Sequence, residues 1–125
     1  MTTGKTASNT PTETTTTAID TVETVAFDKE GFLSNLADWS PDIARHIADG
    51  EGISLTAAHW DVIYLLRDYY RSFDSSPAMR ALVKYCALKL GKDKGSSLHL
   101  LSLFPGSPAK IGSKIAGLPK PDNCL

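Results

Sequence analysis

Apolar residues recur at three- and four-residue intervals along most of the chain after residue 40, a spacing that is typical of α-helices. Residues that start and stop helices divide this pattern into five predicted helices, at about 41–49, 56–73, 77–90, 97–104 and 108–116. Ser40-Pro41 and Ser76-Pro77 each offer a hydroxyl N-cap followed by a proline suited to the first helical turn. The second helix has the broadest apolar face, so we expect it to be the central helix of a small bundle.

The N-terminal quarter has a different pattern. Residues 1–24 contain eleven threonines and no aromatic residue, which leaves too little apolar surface to offset the entropy of ordering. We therefore predict that residues 1–18 form a disordered extension. Two short apolar stretches around a turn, over 25–33, predict an N-terminal β-hairpin that packs onto the helices through Phe27, Phe32 and Leu33.

The C-terminal end carries two prolines, Pro119 and Pro121, that exclude a regular helix. We predict a helical domain over 19–116, followed by a flexible, semi-extended arm over 117–125 that carries Cys124. At about 3.3 Å per residue, the eight residues from Leu118 to Leu125 would span roughly 26 Å. The fold class is therefore mainly α, with a hairpin at one end and a mobile arm at the other.

Charge is distributed asymmetrically along the chain. Residues 1–76 hold 5 basic and 12 acidic side chains, whereas residues 77–125 hold 8 basic and 2 acidic. A basic half favours an acidic partner surface or a phosphate backbone, although a solvated lysine face would look the same. No apolar run reaches the length of a membrane span and no secretory signal pattern occurs, which predicts a cytoplasmic protein without a membrane partner.

Few groups in the chain can perform chemistry. Cys86 lies on the apolar stripe of the third helix, which indicates a buried structural thiol. Cys124 lies in a segment that cannot bury it unaided, and its thiol is either functional or accidental. The cysteines and the scattered histidines match no zinc spacing, and no nucleotide-binding, hydrolase or metalloprotease motif occurs, so we expect no cofactor and no metal.

Several segments together resemble the DsrC/TusE family over about residues 25–125: Phe27-Asp28-x-x-Gly31-Phe32-Leu33, the helix starts at Trp39 and Leu55, Leu103-Phe104-Pro105-Gly106-x-Pro108, and Lys114-Ile115-Ala116-Gly117-Leu118-Pro119-Lys120-Pro121-x-x-Cys124. The resemblance implies a helical protein with a helix-turn-helix-like pair, and a C-terminal arm whose cysteine carries sulfur. That cysteine corresponds to Cys124. In the DsrC type a second arm cysteine precedes it by ten intervening residues, and here Ser113 stands at that position.

An arm with one cysteine favours the TusE type. That resemblance implies a sulfurtransferase that acts as a persulfide carrier in tRNA 2-thiouridine synthesis or related sulfur trafficking. The implied partners are a sulfur-donor complex of the TusBCD or DsrEFH kind and an acceptor, either a tRNA-thiolating enzyme or sulfite reductase. Lys110, Lys114 and Lys120 are candidate partner-binding residues. Two alternatives stay open: a DsrC-like partner of dissimilatory sulfite reductase, and a helix-turn-helix regulator that contacts nucleic acid through the second and third helices.

Overall fold

A computed structural model describes residues 24–122. Within that range, a short 3-10 helix at Leu36–Asp38 precedes five α-helices, named here in chain order. They are α1 (Pro41–Gly50), α2 (Ala57–Phe73), α3 (Met79–Leu90), α4 (Ser97–Leu103) and α5 (Pro108–Ile115). The mainly helical fold is therefore confirmed, and each predicted helix is present with its ends shifted by no more than two residues.

Local capping chemistry explains most of the helix boundaries. The Ser40 hydroxyl accepts from the backbone N–H of Ile43 at 3.2 Å, with Pro41 in the first turn, as the sequence predicts. The prediction for Ser76-Pro77 was wrong, because α3 starts at Met79 with Ala78 as its N-cap. The Ser76 hydroxyl bonds elsewhere in the fold, so it does not serve as a cap.

The predicted N-terminal β-hairpin is not formed as a pair of strands. In the described residues a single antiparallel bridge joins Phe27 to Leu33 across a tight turn. The Asp28 carboxylate accepts from the backbone N–H groups of Glu30 and Phe32, both at 2.9 Å, and so closes that turn locally. The 3-10 helix begins at Leu36, which leaves too little chain to extend the bridge into a ladder.

The core is built around α5 and not around the longer α2. Although α5 spans eight residues, it packs against all four other α-helices. Its inward positions include the small residues Ala109, Gly112 and Ser113, which allow close approach; a Cβ on Gly112 would lie 3.0 Å from Cδ1 of Leu66. This central position matters for function, because the C-terminal arm continues directly from α5.

No helix among residues 24–122 is long and apolar enough to cross a membrane. The predicted extension at 1–18 lies outside the described residues.

Candidate functional site

The arm leaves α5 through a Schellman motif. The N–H of Gly117 donates to the carbonyl oxygen of Lys114 at 3.1 Å, and the N–H of Leu118 donates to that of Ser113 at 2.9 Å. Gly117 has a φ of 75°, and a Cβ at this position would lie 2.3 Å from Cδ1 of Trp39. Both the backbone conformation and the contact with the indole therefore require glycine at the point where the arm begins.

Two side chains hold the last carbonyl groups of α5. Nε1 of Trp39 donates to the carbonyl oxygen of Ile115 at 2.9 Å, and the Arg67 guanidinium donates to that of Ala116 at 2.7 Å. The guanidinium also stacks on the Trp39 ring, 4.0 Å from its centroid, and burial lowers the pKa of Arg67 from its ordinary value. The guanidinium and the indole N–H thus supply hydrogen bonds to carbonyl oxygens at the C-terminal, negative end of the helix dipole. These bonds fix the direction in which the arm departs.

The first residues of the arm lie against the helical body. Leu118 is 2% exposed, and Pro121 is also buried. The Ser76 hydroxyl donates to the carbonyl oxygen of Pro119 at 2.6 Å, and Nζ of Lys120 lies 3.2 Å from Oε1 of Glu30. The body therefore positions the arm as far as Pro121.

Cys124, the predicted sulfur-carrying residue, lies outside the described residues. It follows Pro121 by three residues in the sequence. At about 3.3 Å per residue, this segment has a maximum reach of roughly 10 Å from the buried proline. The fixed part of the arm therefore restricts where the thiol can act.

Cys86 lies on the inner face of α3 and is fully buried. Burial raises the pKa of its thiol to about 11. A thiol with this pKa is almost entirely protonated at neutral pH, and the Cys86 side chain exposes no surface to a partner. Its predicted structural role agrees with this environment.

Ser113 lies inside α5 and is also fully buried. Its hydroxyl has no hydrogen-bond partner among the described residues. The position that the resemblance assigns to a second cysteine of the DsrC type therefore lies in the core, on the helix from which the arm continues.

The three candidate lysines lie in different environments, Lys110 and Lys114 on α5 and Lys120 in the arm. Lys114 pairs with Glu51, and both side chains are largely buried, at 16% and 25% exposure. Lys110 and Lys114 line an open groove of about 350 Å³, together with Glu30, Glu51, Gly106, Ser107 and Ile111. Lys120 does not line this groove but pairs with Glu30, which does. In the described part of the chain Lys110 forms no ion pair, so its charge is the most available of the three.

The buried histidine, His59, is held by hydrogen bonds at the start of α2. Nδ1 of His59 accepts from the backbone N–H of Thr56 at 3.0 Å, so Nε2 carries the proton and donates to the carbonyl oxygen of Leu103 at 2.8 Å. Residues 24–122 contain no group of three or more histidine, cysteine or acidic side chains that would hold a metal ion.

Sequence reasoning missed Arg67 and Ser76 as residues that hold the arm, and it used Trp39 only as part of a helix start. Their partners lie 49, 43 and 76 residues away along the chain, so no local pattern reports these contacts. The one available signal was Gly117 beside a proline-rich end, which indicates a helix stop but not what packs against it.

Comparison with known proteins adds an independent result. The model of the family described as DsrC like protein matches residues 21–125. A sulfurtransferase TusE homolog of Haemophilus influenzae is 54% identical over 101 residues, which cover 81% of this chain and 93% of the relative. Sulfurtransferase TusE of Escherichia coli (strain K12) is 51% identical over 98 residues, which cover 78% of this chain and 90% of the relative.

Solved structures give the same result. The NMR structure of Allochromatium vinosum DsrC is 50% identical, with a TM-score of 0.74, and the match covers 81% of this chain and 90% of that one. The crystal structure of the oxidized gamma-subunit of the dissimilatory sulfite reductase (DsrC) from Archaeoglobus fulgidus is 36% identical, with a TM-score of 0.70. That match covers 81% of this chain and 92% of the Archaeoglobus chain.

Proposed function

We propose that this chain, which belongs to the DsrC-like protein family, carries sulfur on Cys124 as a persulfide. The relatives named as sulfurtransferases confirm the predicted sulfur-relay function. The observation that supports Cys124 in particular is the full burial of Cys86, because the chain has only two cysteines. If the chain carries sulfur on a thiol, the burial of Cys86 leaves Cys124 as the candidate.

The proposed transfer conserves electrons. The Cys124 thiolate attacks the outer sulfur of a persulfide on the donor protein, and a new S–S bond forms to Cys124. The bond between that sulfur and the donor's cysteine breaks, and the donor's cysteine leaves as a thiolate. Delivery repeats the step with an acceptor thiolate, so neither loading nor delivery needs an oxidant or a reductant.

A single thiol is consistent with the surroundings of Ser113. A hydroxyl cannot form the disulfide that a second arm cysteine would form with Cys124, and the Ser113 side chain is enclosed by the core. This difference favours a carrier that exchanges one sulfur atom between proteins over a cycle that depends on two thiols. The TusE relatives are consistent with that preference.

We infer that the resting thiol is only weakly activated. Lys120 is the nearest cation along the chain, but its charge is already paired with Glu30, and Asp122 lies two residues before the cysteine. A carboxylate close in sequence disfavours the thiolate, so activation depends on groups supplied by the partner.

The proposed partners are a sulfur-donor complex of the TusBCD or DsrEFH kind and an acceptor that thiolates tRNA, with sulfite reductase as the alternative acceptor. We propose that Lys110 and Lys120 contribute charge at the contact with these proteins. Lys114 is engaged with Glu51 and contributes mainly to the shape of the groove.

Mass spectrometry of the loaded chain tests this function. After incubation with a cysteine desulfurase and its relay proteins, we expect one added sulfur, about 32 Da, on the peptide that contains Cys124. Cys86→Ala should load as the natural chain does, and Cys124→Ser should not load. Sulfur found on Cys86, or loading that survives Cys124→Ser, would contradict the proposal.

The regulator alternative predicts a different outcome for the same variant. A helix-turn-helix protein would bind one duplex sequence, lose affinity steeply with salt, and bind equally well after Cys124→Ser.

A further inference from the structure

Three aromatic rings form a cluster on the surface where α2 meets α3. The ring centroids of Tyr69 and Phe73 are 4.5 Å apart, those of Tyr69 and Tyr85 are 5.1 Å apart, and those of Phe73 and Tyr85 are 6.1 Å apart. The Tyr85 hydroxyl donates to Oδ2 of Asp68 at 2.6 Å, which fixes the ring in place. Phe73 is nevertheless 56% exposed. A large ring held in position but left open to solvent is typical of an interface anchor, because little entropy is lost when it binds.

Cations also lie along α3, the helix from which Tyr85 joins the cluster. The helix carries Arg80, Lys84 and Lys89 and no carboxylate. Nζ of Lys89 lies 5.5 Å from the centroid of the Tyr85 ring, and neither Arg80 nor Lys84 forms an ion pair within residues 24–122. We call this surface the aromatic-basic face and define it by Tyr69, Phe73, Arg80, Lys84, Tyr85 and Lys89. Unpaired positive charge beside exposed aromatic area is complementary to an acidic protein surface with an apolar site.

The aromatic-basic face lies next to the arm. Ser76 follows Phe73 by three residues, and its hydroxyl holds the carbonyl oxygen of Pro119 at 2.6 Å. A protein bound at the end of α2 would therefore lie beside the fixed part of the arm. Since Cys124 has a reach of roughly 10 Å beyond Pro121, a partner must bind close to this point to meet its sulfur.

We propose that the aromatic-basic face binds an acidic surface of the protein that loads sulfur onto Cys124. The inference rests on the proposed function and adds the location and chemistry of the contact. Asp68 does not cancel the positive charge of α3, because its carboxylate accepts from the Tyr85 hydroxyl and lies 3.6 Å from the Arg71 guanidinium.

Binding measurements on matched variants test the location. The probe is purified TusBCD donor complex, titrated against the full chain by calorimetry. Phe73→Ala and Lys84→Glu should each raise the dissociation constant by about tenfold or more, and a tenfold rise corresponds to a loss of about 1.4 kcal/mol in binding free energy. Leu98→Ala and Lys92→Glu provide the controls, because both residues are exposed and lie outside the face, and they should change the constant by less than about twofold.

Two further measurements separate the possible failures. Loading of Cys124 from glutathione persulfide needs no docking, so it should be equal in the natural chain and in all four variants. If none of these proteins is loaded, the proposed function is contradicted and the docking face is not tested by that result. If Phe73→Ala and Lys84→Glu bind the donor as the natural chain does, or if the natural chain does not bind it, the docking proposal is wrong. If the two variants lose affinity for tRNA while donor binding is unchanged, the face is a nucleic-acid site and the proposal is equally overturned.

Discussion

The two thiols of the chain differ because their surroundings differ. Cys86 is enclosed in the core, where its uncharged form is favoured, whereas Cys124 follows in sequence an arm that is packed on the body as far as Pro121 within the described residues. The sequence was sufficient to predict the burial of Cys86, because Val83 and Leu90 place it on the apolar stripe of a helix. The packing of the arm was not predictable, since it depends on Ser76 and Glu30, which are distant along the chain.

Cys86 makes stability depend on pH at the alkaline end. The pKa of Cys86 is raised from 9.0 to about 11 in the folded chain, so the folded state keeps the thiol proton more tightly than the unfolded state does. The resulting contribution to the free energy of unfolding is complete below pH 9 and is lost as the pH rises through 11. We expect the free energy of unfolding to fall over that interval by at most about 3 kcal/mol. Urea titrations of the natural chain and of Cys86→Ala check this, because the difference between them removes the contribution of the lysines. Parallel pH profiles of the two proteins would contradict the assignment.

Ser113 should be a position where removing a polar group does no harm. Its buried hydroxyl has no partner among residues 24–122, and such a group costs about 1–3 kcal/mol. Ser113→Ala is therefore expected to leave the free energy of unfolding unchanged or to raise it, as measured by urea denaturation. Ser102→Ala, at an exposed position on α4, is the matched control. A loss of more than about 1 kcal/mol in Ser113→Ala alone would show that the hydroxyl is bonded.

At the scale of the elements, the ends of the helices were predictable and their arrangement was not. Ser40-Pro41 and Gly91 act through bonds within a few residues, so their effect is visible in the sequence. The central position of α5 depends on contacts with four other helices, and an eight-residue segment has no local signal for it. The hairpin prediction was wrong for a related reason, because the Asp28 turn and the nearby 3-10 helix leave no room for paired strands.

The junction between α5 and the arm gives a sharp test with two glycines. Gly117 and Gly52 have nearly equal φ angles of 75° and 73°, but a Cβ would lie 2.3 Å from Trp39 at the first and within 4 Å of nothing at the second. Gly52→Ala should cost about 1 kcal/mol through the backbone alone. Gly117→Ala should cost at least about 2 kcal/mol more in thermal or urea unfolding, because the indole must move. Equal losses in the two variants would mean that Trp39 does not confine the junction.

The lysines on α5 should separate into structural and binding residues. Lys114→Gln breaks a largely buried pair with Glu51 and is expected to lower the free energy of unfolding by about 1 kcal/mol or more. Lys110→Gln should change stability by less than about 0.5 kcal/mol. If Lys110 contributes to partner binding, its variant should instead weaken the affinity for the donor complex, as measured by calorimetry. If Lys110→Gln lowers the free energy of unfolding and Lys114→Gln does not, Lys110 and not Lys114 is the residue that stabilises the groove.

At the scale of the whole molecule, the helical body does more than carry a tethered thiol. Trp39 and Arg67 direct the arm, and Ser76 and Glu30 hold it at Pro119 and Lys120, so only three residues separate Cys124 from the buried Pro121. The sequence alone suggested a reach of roughly 26 Å from Leu118, whereas the packed arm leaves roughly 10 Å beyond Pro121. Partners must therefore bind the body itself, which is why a docking surface beside Ser76 matters for sulfur exchange.

The measurement that tests the central claim most directly is a complete loading and delivery cycle on a chain with one cysteine. Cys86→Ala is loaded, separated from the donor and mixed with an acceptor protein that has a reactive cysteine, while intact masses are followed over time. We predict that the chain gains about 32 Da on loading and returns to its unmodified mass as the acceptor gains the same sulfur. Sulfur that stays on the chain, or that leaves only as sulfide after a reductant is added, would contradict a transferable persulfide on Cys124.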